Sequence, residues 1–124
     1  MNMLDQHLGQ WGEDLACDYL KENGYRILER NFKNRFGEID IIARDQDVLC
    51  FIEVKTRTSR EFNHPFEAMS RFKQHRLMRM AMGYLIFKKQ EHAQARFDVV
   101  GISIVEENSP VIELLKNAFE VESA

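Results

Sequence analysis

Near the start of the chain Leu4, Leu8, Trp11, Leu15 and Tyr19 recur at spacings of three and four, and Gly24 follows where a helix would end. The pattern predicts a first helix over 5–23. Gly9 and Gly12 inside it each cost on the order of 1 kcal/mol against Ala, so either the helix starts late or another segment approaches that surface closely. The period then changes from helical to alternating. A strand is predicted over 25–32, with turn signals at Asn31, Asn34 and Gly37, then a second strand over 38–44. A third strand, 48–57, follows the polar Asp45-Gln46-Asp47 turn. In it Val48, Cys50, Ile52 and Val54 keep one face apolar throughout. The other face begins with Leu49 and Phe51 and turns abruptly to Glu53, Lys55 and Arg57.

Pro65 opens a predicted long helix, 65–89, with Phe66, Met69, Leu77, Met80, Ala81 and Tyr84 on its inner stripe. Lys73 falls on that stripe between Met69 and Leu77, where an apolar residue would be expected; it either snorkels or points at a polar site. A further strand is expected over 95–105, and Pro110 interrupts before a segment, 111–119, whose type the pattern leaves undecided. The order helix, three strands, helix, strand defines an α/β protein with a mixed central sheet flanked by helices. At 124 residues it is one domain, 1–124, in which 120–124 are expected to fray.

With 44% hydrophobic and 30% charged residues the chain reads as an ordinary soluble globular protein. No apolar run reaches membrane-spanning length and no basic-then-apolar segment precedes Leu4, which predicts a cytoplasmic location and no membrane partner. Cys17 and Cys50 lie far apart and outside any Cys/His cluster, so they are expected to be buried apolar side chains. Seventeen Lys and Arg against twenty Asp and Glu give a net charge of -3, which is not the signature of a nucleic-acid coat. A nucleic-acid role must therefore rest on local patches. Arg71, Lys73, Arg76 and Arg79 occur with His75 and no acid among them. Arg26, Arg30, Lys33 and Arg35 form a second basic stretch, and Arg57 and Arg60 follow the third strand. These groups either position phosphates without reading sequence or are solvated faces. The four histidines show no triad or metal-ligand spacing.

The chemistry concentrates on Asp40, Glu53 and Lys55. Asp40 sits mid-strand at a position shared by Glu38 and Ile42, and Glu53 and Lys55 share a face of the next strand. Consecutive strands usually pair, so these charges can converge. Two carboxylates from neighbouring strands make a hard oxygen site suited to Mg2+ or Mn2+, and Lys55 would place a cation where charge develops in phosphodiester cleavage. The plainer alternative is cross-strand ion pairing of exposed strand ends with Arg44 or Asp40.

Gly12-Glu13-Asp14-Leu15-Ala16, Asn31-Phe32, Gly37-Glu38-Ile39-Asp40-Ile41-Ile42-Ala43-Arg44, Phe51-Ile52-Glu53-Val54-Lys55-Thr56-Arg57 and Phe97-Asp98-Val99-Val100-Gly101-Ile102 resemble segments of the bacterial YraN family. The resemblance covers nearly the whole chain. It implies a restriction-endonuclease-like fold with an α-β-β-β-α-β core, similar to archaeal Holliday junction resolvases. It also implies a PD-(D/E)xK nuclease site in which Asp40, Glu53 and Lys55 are the motif residues and Glu13 is a further acid. Ile39, rather than Pro, precedes Asp40. A Lys-Gln pair recurs in the family near Lys73-Gln74, which favours Lys73 pointing at the acids. The expectation is thus a magnesium- or manganese-dependent endonuclease acting on DNA, with branched or recombination intermediates as the candidate substrates. Asp40 and Glu53 hold the metal, and Glu38, Arg57, Lys73 and Gln74 are secondary site residues. Its rival is a non-cleaving nucleic-acid or protein interaction module of the same fold. The oligomeric state, a homodimer included, is left open.

Overall fold

Gly24 adopts φ +87 immediately after the first helix, and the Tyr25 N–H returns to the Leu20 carbonyl at 2.9 Å. This left-handed glycine ends the helix where the period of the sequence changes. The computed structural model describes residues 3–58, 69–104 and 109–119. The elements are α1 (Met3–Glu22), β1 (Arg26–Asn34), β2 (Gly37–Asp45), β3 (Val48–Thr58), α2 (Arg71–Phe87), β4 (Ala95–Ile104) and β5 (Pro110–Leu115). The described strands form one sheet in the order β1-β2-β3-β4-β5. Among the described strands only β3 and β4 pair in parallel, joined by the crossover that contains α2. The order up to β4 is the α-β-β-β-α-β core that the resemblance implies, with β5 added antiparallel to β4.

The alternation read from β3 is realised as two cores, one on each side of the sheet. Cys50 and Ile52 pack with Ala16, Cys17 and Leu20 of α1, whereas Leu49 and Phe51 pack with Leu77, Met80 and Tyr84 of α2. Both cysteines are buried and unpaired. Among the described residues no helix is long and apolar enough to cross a membrane.

Several boundaries differ from expectation. Strand β1 runs on to Asn34, because a two-residue connection, Arg35-Phe36, closes the hairpin and lets pairing continue to Asn34 opposite Gly37. Helix α2 starts at Arg71, capped by Ser70, whose hydroxyl accepts the Lys73 N–H at 3.2 Å. Pro65, Phe66, Arg60 and His64 lie outside the described residues, as do 120–124. Pro110 opens β5 instead of interrupting the chain, since the first residue of an edge strand need not donate. Beyond β5 the backbone continues beside β4, with the Ala118 N–H on the Phe97 carbonyl at 2.7 Å and Phe119 stacked on Phe97.

Of the two glycines in α1, Gly9 faces open space, while a Cβ on Gly12 would collide with Thr56 Oγ1 of β3. Close approach therefore explains Gly12, and it sets the position of its neighbour Glu13. Gly12→Ala is expected to cost about 1–3 kcal/mol through overpacking. In urea unfolding, Thr56→Ala should recover part of that loss in the double mutant. A loss that Thr56→Ala leaves unchanged would assign the effect elsewhere.

Candidate active site

The β2–β3 ladder runs from Asp45 opposite Val48 to Ile41 opposite Ile52. Beyond it a side chain takes over: Asp40 Oδ2 accepts the Val54 N–H at 2.8 Å. A carboxylate thus satisfies a donor that a regular ladder would give to a carbonyl. The same position is irregular on the other side. Ile41 packs in the α1 core and Ile39 in the α2 core, although residues two apart in a regular strand share a face. Asn31, which lies between the pairs Arg30–Ile41 and Phe32–Ile39, has φ +54. The alternation expected to carry Glu38, Asp40 and Ile42 along one face therefore breaks at Asp40, because β2 rotates there.

This break opens a cavity of about 110 Å³ whose polar lining includes Glu38, Asp40, Glu53, Lys73 and Arg76, with Phe51, Leu77, Phe97 and Phe119 among its apolar walls. Lys73 Nζ forms an ion pair with Glu53 Oε1. The position that looked anomalous on the helix stripe thus supplies the counter-charge of an acid on β3. The other oxygen, Glu53 Oε2, is buried and has no hydrogen-bond partner among the described residues. Burial pushes the Asp40 carboxyl up to about 7; the Val54 N–H opposes the shift, and Glu13, Glu53 and Glu38 add repulsion. Burial also raises the carboxyl of Glu13, partly offset by Arg30. Asn31 bridges two of these acids. With its amide nitrogen turned toward them, it donates to Glu38 Oε1 at 2.9 Å and to Glu13 Oε1 at 2.7 Å.

The remaining candidates divide. Lys55 shares the strand parity of Glu53, is half-buried and makes no ion pair with a described residue, but it does not line the cavity. Arg57 stands opposite Ser103 on β4 and also lies outside the cavity lining. Gln74 is turned onto the backbone, its amide donating to the Met69 carbonyl at 2.8 Å. Arg30 is held by Asp14 at 2.7 Å. Arg35, Arg76 and Arg79 converge with His75 around a second cavity. Arg26 and Lys33 on β1, and Arg71 at the start of α2, stand apart from that group.

Two polar features escaped the sequence reading. Asn31 carried a turn signal, and nothing in the sequence showed that it would bridge carboxylates. Asp98 is 1% exposed and accepts the Tyr25 hydroxyl at 3.0 Å, Arg96 Nε at 3.0 Å and the Asn117 N–H at 2.9 Å. Within the apolar β4 run only its acidity among Phe97, Val99 and Val100 hinted at a buried network.

Among the described residues no three His, Cys, Asp or Glu side chains form a ready ligand set for a metal. The donors that do converge are two hard carboxylates, Asp40 and Glu53, one with an orphaned oxygen. That set fits magnesium or manganese, cations that take one or two carboxylates and complete their shell with water and substrate phosphate.

A model of "Uncharacterised protein family UPF0102" matches residues 12–102. A UPF0102 protein of Syntrophus aciditrophicus is 49% identical over 113 residues, covering 91% of this chain and 88% of the relative. One of Geobacter metallireducens is 46% identical over 121 residues and covers 98% of each chain. Another, of Clostridium botulinum, is 44% identical over 124 residues, covering 98% of this chain and all of the relative. Among solved structures, that of Pyrococcus furiosus SfsA in complex with Ca2+ is similar at a TM-score of 0.43 and 15% identity, over 94% of this chain and 65% of that one.

Proposed function

Because the chain belongs to the uncharacterised protein family UPF0102, we propose a function from its own residues: a metal-dependent endonuclease that hydrolyses DNA phosphodiester bonds, with branched intermediates as candidate substrates. The observation that carries this reading is the seating of Asp40 at the break between β2 and β3, beside a Glu53 oxygen with no partner among the described residues. A structural carboxylate would be satisfied and uncrowded; Asp40 is buried among three other acids and Glu53 keeps one oxygen unused, as a cation-binding pair does before it binds.

Asp40 and Glu53 would hold magnesium or manganese, which when bound polarises the scissile phosphate and lowers the pKa of water. Lys73 fixes the Glu53 carboxylate through one oxygen and leaves the other for the cation. Lys55, beyond Glu53 on β3, orients the attacking water and offsets developing negative charge. Glu13, linked to Glu38 through Asn31, acts through water. Arg76 and Arg79 neutralise phosphates on the approach.

The rival reading, a non-cleaving interaction module, is favoured by one observation: Lys73 already neutralises Glu53. A cleavage assay on four-way, forked and linear DNA with Mg2+ or Mn2+ decides between the two. Cleavage of at least one substrate is expected. Tight binding with no cleavage of any would hand the site to the interaction module. In the same preparation Arg76→Ala with Arg79→Ala should weaken binding to all sequences alike and flatten the salt dependence by a slope of about 0.9 per lost phosphate contact. An unchanged slope would move the phosphate-binding surface to the stretch between Arg26 and Arg35.

A further inference from the structure

Next to the acidic cavity lies an open groove of about 450 Å³ lined by Arg35, Phe36, Phe72, His75, Arg76 and Arg79. Two elements build it. Asn34 Oδ1 accepts the Phe36 N–H at 2.8 Å, which shapes the β1–β2 turn, and Gly37, at φ +146, brings the turn against Arg76 and Met80 of α2. Phe72 is 77% exposed and Phe36 is 36% exposed. The Arg35 guanidinium stands 4.9 Å from the centroid of the Phe36 ring. Among the described residues no carboxylate lines the groove, in a protein whose net charge is -3.

We propose that this groove is a stacking platform for the unpaired bases of single-stranded DNA. Exposed rings alone would suit any apolar partner. Three guanidiniums and a histidine around two rings suit a polyanion with aromatic faces, because the cations take the phosphates while the rings and the Arg35–Phe36 pair take bases. A duplex keeps its base faces inside its own stack and offers this groove only its phosphates. Arg76 lines both the groove and the acidic cavity, so a strand lying on the platform continues toward Asp40 and Glu53. The inference deepens the endonuclease reading and rests on it for that last step: the favoured substrate has a single-stranded arm, and the scissile bond lies near where that arm begins.

The test uses the full chain in metal-free buffer with a fluorescent oligothymidylate of ~15 nucleotides, in the range of single-strand site sizes, and a duplex of equal length. Phe36→Ala with Phe72→Ala should weaken oligothymidylate binding by about 10- to 100-fold while changing duplex binding little, given the cost of removing stacked aromatic rings. Both rings are exposed at least in part, so melting should be nearly unaffected. Phe72→Trp should restore affinity and show indole fluorescence quenched on binding. Aromatic variants that bind oligothymidylate like the wild type would overturn the platform, as would equal losses for single strand and duplex or a wild type that does not bind the single strand. Aromatic-dependent binding in a protein that cleaves nothing would leave the platform standing and remove the endonuclease. Cleavage of forked DNA unaffected by both alanines would do the reverse.

Discussion

Asp40→Asn is expected to abolish cleavage while raising the thermal stability of the metal-free protein at pH 8. The variant keeps an acceptor for the Val54 N–H and loses a charge that burial and three neighbouring acids oppose. The sign follows from the two states. Burial holds the Asp40 carboxyl up to about 7 in the folded chain, against its ordinary value of 3.8 when unfolded. Below the lower value both states are protonated and Asp40 costs nothing. Between the two the unfolded chain ionises first, so the wild type loses stability as pH rises through this window. Discounted for solvent at the half-open site, the penalty above pH 7 is on the order of 2 kcal/mol, or about 5–8 °C in Tm. The gain of the variant should therefore be large at pH 8 and vanish near pH 4. Added Mg2+ should stabilise the wild type and leave Asp40→Asn unmoved. A gain that does not change with pH would mean that Asp40 is not held as a strained acid, and surviving cleavage would remove it from the metal site.

The largest loss of stability should come from Asp98→Ala. Arg96 donates from Nε to Asp98, and through its other nitrogen to the Tyr25 hydroxyl at 2.9 Å and to Asp45 Oδ2 at 2.6 Å. Removing Asp98 strips the half-buried Arg96 guanidinium of one of its two carboxylates and leaves the Tyr25 O–H and the Asn117 N–H together without their acceptor. Breaking a buried pair from one side costs about 3–5 kcal/mol. The segment after β5 should loosen as well, because Asn117 is anchored there and Phe119 walls the acidic cavity. Urea unfolding measures the loss. A double replacement, Asp98→Leu with Arg96→Met, should recover much of it, since an apolar pair needs no partners. A loss below about 1 kcal/mol for Asp98→Ala would show the network to be solvated. Asp45 acts at the other end of the pH scale. The Arg96 hydrogen bond holds its carboxyl below the ordinary range, so its contribution is present above that range and disappears as pH falls below it.

Much of this arrangement was legible because it rests on periodicity. The two-sided burial of β3 at Leu49 and Phe51, its change of character at Glu53, and the polar intrusion of Lys73 on an apolar stripe are all visible as departures from a repeat. What stayed hidden depends on departures from regular geometry that no side-chain pattern records. The rotation of β2 at Asp40 is one such departure, and the left-handed Asn31 opposite it is another. Resemblance to a family supplied Glu13 as a site residue; its link to Glu38 through Asn31 required the fold. Charge counting treated the arginines as two stretches along the chain. The structure regroups them, because a hairpin turn carries Arg35 to the helix that bears Arg76 and Arg79, while Arg30 is taken up by Asp14.

The two outer strands of the sheet bear on how copies of the chain avoid one another. An edge strand offers unpaired amides to any passing strand, and a long regular one is a template for aggregation. Strand β1 shifts register between Ile27 and Glu29, takes a left-handed residue at Asn31, and carries Arg26, Glu29, Arg30 and Lys33 along its length. Strand β5 is six residues long and starts with a proline that has no amide hydrogen to give. Among the described residues neither edge presents a long, flat run for another copy to extend, so the kink at Asn31 that serves the acidic cluster also interrupts the β1 edge.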